Sequence, residues 1–208
     1  MSYILKLLKN NFLLTLLSFM KSKNWVNRQK NDQFVKKAKQ LGYLNRAAFK
    51  LEEIEQKYKI IENSSEILEL GSSPGGWTQV ILKYNTKSNI TCFDLLDMKI
   101  NNQNITFYRE DFLKYDFTNL KSKFNLVLSD VAPNTTGHQS TDHLRISQLI
   151  YDIIDRLEII LKNKGSFIFK IWKGEEEKEI NKILKKNFDK VEYFKPKSSR
   201  QESSEIFI

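Results

Sequence analysis

From Glu66 onward the chain alternates short apolar runs with longer amphipathic ones, and few folds accommodate that order. EILEL (66–70) reads as a buried strand and GGWTQVILKY (75–84) as the helix that follows it. NITCFDL (89–95), NITFYRED (104–111) and FNLVLSD (124–130) are three more strands, followed by a loop and a long helix over roughly 143–162. GSFIFKIW (165–172) is a fifth strand, a charged helix spans about 175–187, and VEYFK (191–195) and SEIFI (204–208) finish as strands. This is the signature of an α/β, doubly wound, Rossmann-like sheet, mostly parallel, with helices on both faces. No helix fits between the last two runs, so they are expected as an antiparallel edge pair. Upstream, Asp32 to Gln40 reads as a short basic helix closed by Gly42. Asn45 is placed to cap a second helix from Arg46 to about Tyr58, with Ala48, Leu51, Ile54 and Tyr58 on one face.

A length of 208 residues fits one such domain. A single cysteine, Cys92, and two histidines leave no internal disulfide and no credible metal site, and a reducing, cytoplasmic compartment is the natural expectation. The formal charge of +9 is local: residues 1–50 hold eleven Lys and Arg against one acid, Asp32. A basic arm ahead of a near-neutral domain marks a face for a polyanion, nucleic acid first, in preference to a merely solvated helix. Residues 4–20 are apolar and basic, but the run Phe12 to Met20 is too short to span a bilayer and lacks a cleavage pattern. The expected organisation is a segment 1–19 of unassigned role, then one domain over 20–208 whose arm occupies about 21–50. No membrane association is expected, and organellar import remains open.

Three of the seven glycines fall within LGSSPGGW (70–77), directly after the first strand. A glycine turn there lets a ligand approach the backbone closely. The spelling Gly71-Ser72-Ser73-Pro74-Gly75-Gly76 departs from a dinucleotide fingerprint at Ser73, which argues for a smaller adenosine ligand over a pyrophosphate clamp. Asp94, 23 residues after Gly71, ends the second strand, where a carboxylate can accept both ribose hydroxyls. Asp111 ends the third strand and can receive an adenine amino group, and Asp130 ends the fourth beside the cleft. Each acid alone is an ordinary loop or cap residue; three on successive strand ends point to an adenosine-type cofactor.

These residues, with RAAFKL (46–51), FDLLDM (93–98), SDVAPN (129–134), GSFIFKIWKGE (165–175) and KPKSSR..SSE (195–205), resemble the FtsJ/RrmJ-type RNA 2′-O-ribose methyltransferases over nearly the whole chain from Trp25. The resemblance implies a methyltransferase sheet of seven strands with one antiparallel, and S-adenosyl-L-methionine as cofactor. By position it implies a catalytic set of Lys50, Asp130, Lys170 and Glu205, and cofactor contacts from Gly71, Ser72, Pro74, Gly75, Trp77, Asp94, Asp111 and Asp130. Ser72-Ser73 replaces the usual Ala-Ala pair, and Ser204 stands where arginine is usual.

The reaction so implied is an in-line displacement in which the protein aligns a hydroxyl and accepts its proton. A lysine is a poor base at its reference pKa of about 10.4, and burial or a neighbouring cation is what adapts one to the task. Lys170 leaves the apolar run FIFKIW, and Lys50 supplies the neighbouring charge. The substrate implied is RNA, with Lys21, Lys23, Arg28, Lys30, Lys36, Lys37 and Arg46 tracking phosphates, Lys197 and Arg200 with Lys195 forming a second cluster, and Trp25 stacking or packing. Compact members of the family modify a uridine ribose in the peptidyl-transferase region of large-subunit ribosomal RNA, and this chain is expected to act on the large subunit as a monomer. Transfer-RNA methylation and a non-catalytic ribosome-assembly role are the alternatives, and a nicotinamide dehydrogenase is disfavoured by Ser73.

Overall fold

The computed structural model describes residues 31–208 except 134, 135 and 137, and those residues carry the alternation anticipated above. Two helices come first, α1 (Gln33–Gln40) and α2 (Ala48–Tyr58). Strand β1 (Glu66–Leu70) leads into α3 (Gly76–Tyr84), then β2 (Asn89–Phe93) and β3 (Ile105–Tyr108). A short 3-10 turn (Phe117–Leu120) precedes β4 (Phe124–Ser129), α4 (Gln139–Ile160), β5 (Leu161–Trp172), α5 (Glu176–Asn187) and β6 (Glu205–Phe207).

The sheet order is β3-β2-β1-β4-β5-β6, parallel except for the β5–β6 pair. Strand order therefore reverses between β1 and β4, and the cleft above their carboxyl ends is where ligands bind in such sheets. The two-residue period of the strands divides the core. Ile67, Ile90, Cys92, Leu126 and Leu128 pack on α2 and α3, beneath Leu51, Ile54, Trp77 and Val80. Leu68, Leu70, Phe93 and Val127 face the other way onto Ile153, Leu157 and Ile160 of α4. Phe169 and Ile171 complete that second face against Ile146, Ile150, Ile180 and Leu184 of α4 and α5.

Four local expectations change. Among the described residues the sheet has six strands, not seven. The run 191–195 makes one antiparallel bridge, Phe194 to Phe207, and its ladder stops at Pro196, which has no N–H to give. Strand β5 begins at Leu161 instead of Gly165, with a pairing irregularity opposite Phe124–Leu126, and α4 begins four residues earlier than its apolar pattern indicated. Asn45 does not cap α2. The helix opens at Ala48 without a side-chain cap, and Asn45 is pressed against α3, where a Cβ on Gly76 would lie 2.1 Å from its Oδ1. Asp32, by contrast, is a true N-cap, its Oδ1 accepting from Phe34 at 2.9 Å and Val35 at 3.3 Å.

Candidate active site

Four side chains from distant parts of the chain meet at the carboxyl edge of β4 and β5. Asp130 directly follows β4, Lys170 lies near the end of β5, Lys50 sits in the first turn of α2, and Glu205 opens β6. The Lys170 ammonium is 2.8 Å from Asp130 Oδ1 and donates to the Asp130 carbonyl at 2.7 Å. Lys50 lies 3.8 Å from the other oxygen, Asp130 Oδ2, and 2.8 Å from Glu205 Oε2. Charges alternate along this chain, Lys170–Asp130–Lys50–Glu205, so each lysine is held by a carboxylate and Asp130 bridges both. Ser199 Oγ donates to Glu205 Oε1 at 2.8 Å, and the Lys50 ammonium stands over the Phe207 ring at 5.7 Å.

Burial is what makes this geometry consequential. Lys170 is only 8% exposed, at the mouth of an apolar strand. Burial alone would raise the Asp130 carboxyl, but the Lys170 and Lys50 ammoniums outweigh it and hold the group below its ordinary range. The site therefore keeps a fixed carboxylate between two lysines, in a position to orient a hydroxyl. This is the arrangement expected of Lys50, Asp130, Lys170 and Glu205, and the structure brings all four together.

The glycine turn lies one strand away. Gly71 has φ +77°, and its N–H bonds the Phe93 carbonyl at 2.8 Å, so the chain leaves β1 hugging the end of β2. A Cβ there would meet Val131 Cγ2 at 2.9 Å, immediately beside Asp130. The Ser73–Pro74 peptide is cis, and the Pro74 carbonyl accepts from Lys99 at 3.1 Å. Across the turn, Asp94 accepts from the Ser73 N–H at 2.8 Å with Oδ2 and from the Leu96 N–H at 2.8 Å with Oδ1. Each carboxylate oxygen retains acceptor capacity, which fits a pair of ribose hydroxyls. Ser72 is buried beneath the turn. Asp111 lies three residues beyond β3, and its Oδ1 is engaged by the Leu113 N–H at 3.0 Å.

Several residues have duties that the sequence did not disclose. The Trp77 side chain is not at the turn: it is 3% exposed, packs on Phe207 with ring centroids 5.8 Å apart, and donates to the Ala47 carbonyl at 2.8 Å. The indole pins α3 against the segment that carries Lys50, so a cofactor contact at this position falls to the Trp77 backbone at the start of α3. Arg46 is likewise not a free phosphate ligand. It pairs with Asp32, donates to the Ser198 carbonyl and lies over the Phe34 ring. Arg200 joins the same Asp32 carboxylate at 3.4 Å, so the amino-terminal and carboxyl-terminal basic clusters meet there. Lys36, Lys37 and Lys197 are exposed, whereas Lys21, Lys23, Arg28, Lys30, Trp25 and the 1–19 segment lie outside the described residues.

Lys195, expected as part of the second basic cluster, donates to the Ser203 and Glu205 carbonyls and braces the entry to β6. One further group escaped the sequence reading. Glu69, on β1 under the glycine turn, is fully buried, and burial pushes its carboxyl up to about 8. Hydrogen bonds from Thr78 and Cys92 oppose that shift, and the nearby Asp94 and Asp130 charges add to it. A strand of the pattern EILEL offers no local sign that its second acid faces the core, although the period of two through Ile67 and Glu69 carries that information once the sheet is known.

The arrangement has counterparts in known proteins. A model of the FtsJ-like methyltransferase family matches residues 43–208. A protein of Anaplasma phagocytophilum named ribosomal RNA large subunit methyltransferase E is 42% identical over 196 residues, covering 90% of this chain and 79% of that one. The protein of the same name from Rickettsia bellii is 39% identical over 197 residues, covering 90% and 87%. The crystal structure of a putative ribosomal RNA methyltransferase from Plasmodium falciparum superposes with a TM-score of 0.70 at 29% identity, covering 79% of this chain and 95% of that one.

Proposed function

The chain belongs to the FtsJ-like methyltransferase family, and from that membership we propose that it methylates a ribose 2′-hydroxyl of large-subunit ribosomal RNA, at a uridine, using S-adenosyl-L-methionine. One observation carries the reading: the alternating Lys170–Asp130–Lys50–Glu205 chain beside a glycine turn. The cofactor, when bound, supplies a methyl group activated by a sulfonium. Gly71 to Gly75 would hold it at the backbone, with Asp94 accepting from its ribose and Asp111 and Asp130 flanking the cleft.

The protein's own work is to position an oxygen and move a proton. Lys170, as the neutral amine, takes the 2′-hydroxyl proton while the oxygen bonds to the methyl carbon and displaces the sulfonium as a thioether. Asp130 fixes the direction of the Lys170 nitrogen through two contacts. Lys50 leans on Glu205 and completes the electrostatic frame around the reacting oxygen. Two carboxylates balance two ammoniums, so the empty frame is not driven apart by like charge. Lys36, Lys37, Lys197 and Arg200, with the arm that precedes α1, would contact phosphates, which predicts RNA affinity that falls steeply with salt. The protein is expected to act as a monomer where ribosomes assemble. Among the described residues no helix is long and apolar enough to cross a membrane.

The deciding experiment is transfer of a labelled methyl group from S-adenosylmethionine to large ribosomal subunits lacking the modification, beside naked ribosomal RNA and transfer RNA. Label in the ribose of the subunit RNA supports the reading; label confined to transfer RNA, or to a base, removes it.

A further inference from the structure

The 2′-hydroxyl of a nucleotide sits on the carbon next to the one bearing the base. A base must therefore lie within about a sugar's width of the group that takes the proton. Trp172 stands two residues beyond Lys170 on β5, about 7 Å further along the strand, and packs partly against the α4–α5 side of the core. It is also the register partner of Glu205, and the Lys173 N–H to Ser204 carbonyl bond at 3.0 Å locks that pairing. The other rings beside the cluster are committed to the core: Phe207 is 1% and Trp77 3% exposed. Trp172 is only partly buried.

Its indole does not stand alone. His143, near the start of α4, meets it edge-on, with centroids 5.6 Å apart and planes at 69°. Room for that imidazole comes from Gly174, where an added Cβ would lie 2.7 Å from His143 Nδ1. Gly174 has no left-handed φ, so close approach, not backbone conformation, is what calls for glycine there. A partly exposed indole two residues from Lys170, braced from one side by a second ring, has the form of a stacking surface.

We propose that Trp172, held in place by His143, is the platform on which the base of the target nucleotide stacks. The proposal rests on the RNA-methylation reading and adds to it the group that positions the acceptor. Stacking is tolerant of base identity because every base presents a π-face, so Trp172 sets orientation, not sequence.

The test compares wild type, Trp172→Phe, Trp172→Leu and His143→Ala on unmodified large subunits, with cofactor affinity by calorimetry and melting temperature measured in parallel. Leucine keeps apolar bulk but has no ring. Trp172→Leu is expected to lose roughly tenfold to a hundredfold in kcat/KM for the subunits, as removal of one stacked base contact does. Trp172→Phe should remain within a fewfold of wild type, His143→Ala should fall between them, and cofactor affinity should stay constant throughout. Equal activity of the Leu and Phe variants overturns the proposal, and so does a loss of cofactor affinity that parallels the loss of rate. Should wild type label only another RNA, the substrate reading fails, and the same Leu-to-Phe ratio on that RNA still decides the platform. Should wild type label nothing, binding of a fluorescent oligouridylate decides it: weaker for Leu than for Phe supports stacking, and equal binding rejects it.

Discussion

Lys170 grips Asp130 twice, through the carboxylate at 2.8 Å and through the backbone carbonyl at 2.7 Å, so the ammonium has one direction left to face. A single neighbour thereby fixes the direction of the proposed base. Replacing Lys170 with Ala should leave cofactor affinity within about twofold but lower single-turnover methyl transfer by at least a hundredfold, within the range attributed to a positioned base. Calorimetry and rapid quench measure the two quantities separately. Full transfer by the variant removes the base assignment.

Asp130 has a depressed carboxyl, and its linkage has a definite sign. A lowered folded value means that its ion pairs contribute fully above the unfolded reference of about 3.9 and are lost as pH falls through the folded value. The stability gap between wild type and Asp130→Asn should therefore be flat from neutral pH down to about 5 and close below about 4. Denaturant titrations across that range measure it.

Glu69 runs the other way. Its folded carboxyl holds a proton up to about 8, whereas the unfolded reference is about 4.3, so folding retains a proton that the unfolded chain releases. Stability should fall as pH rises between those values and level off above them. Glu69→Gln, which can still accept from Thr78, should flatten that decline and melt higher than wild type at pH 8. A parallel pH dependence in both proteins would contradict the raised carboxyl.

Asp32 caps α1 and also anchors Arg46 and Arg200. Asp32→Ala should cost about 2 kcal/mol or more, combining a lost cap with two arginines left without their carboxylate. Asp32→Asn keeps the cap and should recover about 1 kcal/mol of that loss. Urea unfolding distinguishes them, and identical costs would mean that the arginines gain nothing from the charge.

Gly71→Ala forces a side chain into a left-handed conformation and against Val131. Since Val131 adjoins Asp130, the variant should lose both cofactor affinity and kcat, with about 1–2 kcal/mol of stability. A variant impaired only in cofactor affinity would show that the turn and the catalytic carboxylate are mechanically separate.

Much of this was readable before any coordinates. Strands with continuous apolar runs, such as EILEL and FNLVLS, are buried on both faces and announce themselves, and the acids and lysines at their ends fall at one edge because parallel strands share a direction. What local pattern did not carry was commitment to distant partners. Arg46 looked like one more basic side chain until Asp32 and Ser198, 14 and 152 residues away, claimed it. Asn45 had the spelling of a cap but its space is shared with Gly76. The run 191–195 has β-forming side chains, yet a strand requires consecutive pairing, and only Phe194 finds any.

The pairing of Lys50 with Glu205 spans 155 residues, and this bears on when competence arises during biosynthesis. Lys50, Asp130 and Lys170 have all been synthesised before Glu205 exists, and Glu205 reaches its place only when the antiparallel strand β6 docks on β5. A nascent chain can thus assemble the parallel sheet and still lack the residue that seats Lys50. If Glu205 serves methyl transfer as proposed, activity waits for that docking and reports that β6 has paired with β5.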